Sequence, residues 1–141
     1  MAKKSLEEVL DSLGVSWRRV SSSRWLIEYS EVRGGEPVRV TVAENGQRYS
    51  IRETGAIRRV MYEENLDCTS EKVLDELFDA AYSAAYKSRF ELLPDWGLVR
   101  NNVPVSDMGR VLQNVPKVVD AAVAAVRSYW RQQGRYRQVE H

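Results

Sequence analysis

The sequence predicts a single two-layer α+β domain over residues 1–141, in which an antiparallel sheet of four or five strands follows a short N-terminal helix and is covered by two or three C-terminal helices. Three observations predict it. The apolar period changes from helical to alternating at Val15, a strong hairpin signal lies at Asn45-Gly46, and helical stripes return after Ser70 and run to the end of the chain.

Ser5-Leu6-Glu7-Glu8 has the form of a capping box, in which the Ser oxygen and the Glu carboxylate satisfy backbone N–H groups at a helix start. Leu6, Val9, Leu10 and Leu13 make one apolar stripe, and Gly14 offers the left-handed conformation that closes the helix. Val15 and Trp17 then alternate with polar residues. After Ser21-Ser22-Ser23, Trp25, Ile27 and Tyr29 do the same, so a first hairpin is expected with Trp17 opposite Ile27 and Val15 opposite Tyr29.

The second hairpin joins Val38, Val40 and Val42 to Tyr49 and Ile51 through Asn45-Gly46, read as a type I′ turn. Pairing Glu44 with Gln47 puts Val42 opposite Tyr49, Val40 opposite Ile51 and Arg39 opposite Arg52, with Arg48 on the same basic face. Residues 56–62 fit a helical face or an edge strand, and the β-branched pair favours strand. Ser70 caps a helix with Val73, Leu74, Leu77, Phe78, Ala81, Ala84 and Ala85 on its apolar face and Glu71, Asp75 and Asp79 in an acidic row. Residues 95–105 read as a connection. A short helix is expected from Ser106, then a last helix with Asn114 as cap and Pro116 in its first turn, closing at Gly134 before a mobile tail.

The residue inventory narrows the chemistry. The one Cys cannot form a disulfide within the chain, and the one His is residue 141. Neither a phosphate-loop nor a dinucleotide fingerprint is present, and no H-E-x-x-H or C-x-x-C occurs. His- and Cys-dependent catalysis is therefore not expected, no cofactor is implied, and the lack of a leader or a membrane-length apolar run points to the cytoplasm. Glu63, Glu64 and Asp67 could hold a hard cation, as a carboxylate-dependent metal enzyme would require, although acids before a helix ordinarily serve its N-terminal dipole. Cys68 beside those acids is expected to be inert, since they oppose thiolate formation.

The net charge of +1 conceals a block pattern: −1 over residues 1–17, +4 over 18–59, −6 over 60–95 and +4 over 96–141. Two basic candidates follow. Arg39, Arg48 and Arg52 form the basic sheet face, and Arg127, Tyr129, Arg131, Arg135 and Tyr136 interleave cations with rings at the C-terminus. Such residues anchor protein interfaces, and they also contact phosphates and stack on unpaired bases. The leading expectation is a non-catalytic cytoplasmic adaptor that binds a protein partner or a second copy of itself. RNA or single-stranded DNA binding is the alternative, opposed by the acidic block and a pI near 7.8.

Overall fold

The structure, a computed structural model, describes residues 5–66 and 70–139, with side chains as far as residue 133 in the last helix. Its elements in chain order are α1 (Leu6–Leu13), β1 (Ser16–Ser21), β2 (Arg24–Arg33), β3 (Glu36–Asn45), β4 (Arg48–Glu53), α2 (Ala56–Glu63), α3 (Glu71–Tyr86), β5 (Glu91–Leu92), β6 (Leu98–Pro104) and α4 (Val105–Val139). The strands form one antiparallel sheet in the order β1-β2-β3-β4-β6-β5.

Alternation along the strands buries Trp25, Ile27, Tyr29, Val38, Val40, Val42, Tyr49 and Ile51 on one face. The helices pack there. α4 contacts α1, α2 and α3 as well as β4 and β6, and so forms the spine of the helical layer. α3 packs beside it through Val73, Leu77, Ala81 and Ala85, which recur at every fourth position and are all buried. At the start of the chain Ser5 caps α1 by accepting from the Glu8 amide, and Gly14 closes it at φ +70. Two indoles then tie α1 to the sheet, Trp17 donating to Asp11 at 2.9 Å and Trp25 to Glu7 at 3.0 Å. Among the described residues no helix is long and apolar enough to cross a membrane.

Several expectations need correction. The sheet has six strands, because residues 98–104 of the supposed connection form β6 beside β4 and Glu91–Leu92 add β5 beside β6. Asn101-Asn102 hides this strand in the sequence. Asn102 takes φ +59 where the β4–β6 register shifts, a bulge that reads locally as a turn. Residues 56–63 are the helix α2, not an edge strand. Ala56, Ile57, Val60 and Met61 are buried together while Arg58, Tyr62 and Glu63 face water, a helical stripe that outweighs strand propensity. Gly55 precedes it without a capping side chain, and the fully buried Glu53 substitutes: its Oε1 accepts from the Ala56 amide at 2.7 Å.

In the first hairpin Trp17 pairs with Ile27 as expected, but Val15 lies before β1 and is not paired. The second hairpin turns through Gly46-Gln47, with Gly46 at φ +67 and Asn45 paired to Arg48. Only the first central residue has positive φ, the type II′ pattern instead of type I′. The register is consequently two residues from the expected one. Val42 faces Ile51, Glu44 faces Tyr49, and Thr41, not Arg39, faces Arg52.

The two expected C-terminal helices are one helix of 35 residues that runs through Asn114, Pro116 and Gly134. A proline here lacks the N–H that would bond the carbonyl four residues earlier. That carbonyl, Leu112 O, instead accepts the buried Tyr29 hydroxyl at 2.6 Å. A strand side chain thus satisfies the acceptor that Pro116 orphans, and the helix passes through without ending. Burial also raises the Tyr29 hydroxyl pKa, so the hydroxyl keeps its proton and remains a donor.

Candidate functional site

The sheet arginines do not form an unpaired basic face. Arg39 lies opposite Glu28 on β2 and donates to it from Nε at 2.9 Å, with Glu36 3.8 Å away. Arg52 reaches Asp95 in the β5–β6 turn at 2.7 Å, and the Gly97 amide together with Arg52 lowers the Asp95 pKa. Arg48 donates to Asn102 O at 3.1 Å.

Two of the C-terminal candidates, Arg127 and Tyr129, are also engaged. Arg127 grips Glu64 with Nε at 2.8 Å, and this pairing holds the Glu64 carboxyl below its usual range. Tyr129 donates to Glu76 on α3, and Trp130 packs half-buried against the core. Arg131 is exposed, whereas the side chains of Arg135 and Tyr136 lie outside the described residues. Of the carboxylate trio, Glu64 is committed to Arg127 and Glu63 is exposed; Asp67 and Cys68 fall outside the described residues, among which no group of three or more metal-ligating side chains occurs.

Two surfaces assemble that the sequence reading does not single out. The first is an aromatic row on α3. Leu74, Phe78, Tyr82 and Tyr86 recur every four residues, beside the stripe that packs on α4. Trp96 meets Phe78 edge-on at 5.2 Å from below, Phe78 lies 6.4 Å from Tyr82, and Tyr82 stacks on Tyr86 at 6.0 Å with only 10° between planes. Tyr86, the outermost, is 59% exposed. The acidic row runs alongside, with Glu71, Asp75 and Asp79 all exposed and each three residues ahead of a member of the row. Leu74 and Phe78 are legible as apolar; the tyrosines that extend the row are hidden by their mixed character.

The second surface is a basic cleft of about 580 Å³ between the end of α3, β6 and the first half of α4. Lys87, Arg89, Arg100, Arg110 and Lys117 line it, and no carboxylate does. An adjoining groove shares Arg89 and Arg100 with the cleft and adds Arg48 together with the carboxylates of Glu91 and Asp107. The half-buried Arg100 donates to Ser88 O at 3.2 Å and lies over the Phe90 ring. Desolvation chiefly, and then repulsion from Arg89 and Arg110, lowers its pKa. The cleft cations are scattered over about thirty positions of the chain; the excess positive charge after residue 96 signals Arg100, Arg110 and Lys117, while Lys87 and Arg89 are hidden in the acidic block.

The geometry defines a two-layer α+β chain with two separate surface features, the aromatic row and the basic cleft. No family model matches it, and searches of curated proteins and of solved structures find no match.

Proposed function

We propose that the protein is a non-catalytic binding module that engages a protein partner through the aromatic row of α3. The observation that carries this reading is the ring ladder Phe78-Tyr82-Tyr86, anchored on the buried Trp96 and flanked by the acidic row. Tyrosine and other large rings are the enriched anchors of interfaces, and rings held by one another lose little freedom on binding. A partner would present an apolar groove bordered by basic residues, so that Glu71, Asp75 and Asp79 steer its approach. A second copy of the chain is one form of such a partner. The nucleic-acid alternative loses the support of its basic sheet face, since Arg39 and Arg52 are each engaged by carboxylates.

The test is co-purification from the native host at low salt, with the protein and its Tyr82→Ser/Tyr86→Ser variant compared after circular dichroism shows both folded. A stoichiometric protein retained by the first and lost by the second is the expected result. Sedimentation of the two proteins alone distinguishes self-association. Ultraviolet absorbance showing bound nucleic acid, undiminished in the variant, would overturn the reading.

A further inference from the structure

A cleft lined by five cations and no carboxylate is unfavourable to leave empty. Arg39, Arg52 and Arg127 are each paired with a carboxylate within the chain, whereas here the two acids nearby, Glu91 and Asp107, lie in the adjoining groove outside the cleft lining, and only Asp107 makes an ion pair with a cleft cation, Arg110, at 3.4 Å. We infer that the cleft is a binding site for a compact anion carrying two or three phosphate groups, held between Arg89, Arg100 and Arg110. Arginine forks match phosphate oxygens in pairs, and each phosphate brings a charge of about −1.5 to −2, so two or three of them balance five cations.

The backbone supplies a second, independent observation. α3 ends in a Schellman closure: the Phe90 amide bonds Ala85 O at 3.2 Å and the Arg89 amide bonds Tyr86 O at 2.8 Å. This closure requires a left-handed residue, and Arg89 adopts it at φ +62. Glycine is the usual choice there because a Cβ is strained in that conformation. Placing Arg at this position sacrifices stability and sets a guanidinium at the cleft wall. Strain held at a convergence of cations of which only Arg110 has a carboxylate partner among the described residues is the pattern of a binding site.

The size and lining select the ligand class. A volume of about 580 Å³ suits a small molecule. No aromatic side chain lines the cleft, so bases would have no surface on which to stack. Gln113 and Asn114 on α4 add amide donors and acceptors suited to phosphate oxygens or to hydroxyls on the carrier.

The experiment is calorimetric titration of the full chain at low salt, without divalent metal, using inorganic orthophosphate, pyrophosphate and tripolyphosphate as probes. Affinity should rise through that series and fall with added salt. Arg100→Gln/Arg110→Gln should weaken tripolyphosphate about tenfold or more, as expected for lost charge-assisted bonds, while Arg52→Gln on the opposite face should not. Arg89→Gly separates a binding role from a structural one. It should raise the melting temperature and still weaken binding, whereas a residue present only to close the helix would leave binding unchanged. Two further arms identify the source of the phosphates: vesicles rich in a bisphosphorylated lipid, and a twelve-nucleotide oligothymidylate. Tripolyphosphate binding in solution that competes with vesicles supports the shared phosphate chemistry, and its absence from vesicles assigns the site to a free ligand. Equal, weak binding of all three inorganic anions, or oligonucleotide binding that tightens with length and exceeds tripolyphosphate, would overturn the inference. Neither result depends on the aromatic row.

Discussion

The hydrogen bond from Tyr29 to Leu112 O makes a quantitative claim about how α4 survives an internal proline. Removing the hydroxyl with Tyr29→Phe leaves a buried carbonyl with no partner, because Pro116 has no N–H to offer. The cost of an orphaned buried polar group is about 1–3 kcal/mol, and the 2.6 Å bond within the core places this one toward the upper end. In a Pro116→Ala background the helix regains an N–H at the right place. Tyr29→Phe should then cost below about 1 kcal/mol, the net value of a hydrogen bond whose acceptor keeps another donor. The predicted coupling between the two sites is therefore about 1–2 kcal/mol. Urea denaturation of the four proteins, followed by tryptophan fluorescence and far-ultraviolet circular dichroism, measures it, provided the m-values agree. A Tyr29→Phe cost that is the same in both backgrounds to within about 0.5 kcal/mol would refute the account, because it would show that the hydroxyl does not replace the missing amide.

Glu53 is fully buried, its Oε2 has no hydrogen-bond partner among the described residues, and desolvation raises its pKa despite the amide bonds and Arg59 that oppose the shift. A carboxyl with a raised folded-state pKa binds more protons folded than unfolded, so stability should fall as pH rises from the unfolded value of 4.5 through the folded one. Glu53→Gln keeps the Oε1 acceptor and should flatten this dependence in melts from pH 4 to pH 8; an unchanged slope would show that another group sets it. Gly34 sits at φ +65, and an added Cβ would lie 2.5 Å from that of Arg59, so Gly34→Ala should cost about 2–4 kcal/mol in chemical denaturation. Gly35→Ala, at φ +82 with open space around it, should cost only about 1–2 kcal/mol, and equal losses would dispute the contact between the β2–β3 turn and α2.

The legible parts of the fold were those with one local cause. Ser5 and Ser70 mark helix starts because a capping oxygen is chemically distinctive, and both caps are present. The alternating residues of β2, β3 and β4 give the buried face for the same reason. What escaped depended on partners distant in the chain. Pro116 reads as a helix start until Tyr29 is brought to Leu112 O, 83 residues away. Residues 56–62 read as strand until Glu53 caps them as a helix. The ion pairs of the candidate residues are illegible for the same reason, since Arg39, Arg52 and Arg127 look unpaired only while Glu28, Asp95 and Glu64 are out of view. The basic cleft draws on three elements, and none of its cations has a distinctive neighbour in sequence.

The solvent-facing side of the sheet has a consequence for uniqueness. Sliding β4 along β3 by two residues returns every apolar side chain to the buried face, so the hydrophobic pattern alone leaves these two alignments degenerate. The wet side breaks the tie. In the realised alignment Thr41 faces Arg52 while Arg39 is matched to Glu28; in the displaced one Arg39 would confront Arg52 across the strands. Each exposed ion pair contributes below about 1 kcal/mol, too little to hold a fold together, yet replacing a neutral neighbour by a repulsive one enlarges the gap between the competitors. Recoding that surface with uncharged residues would leave the melting temperature nearly unchanged and give the chain a second conformation to populate.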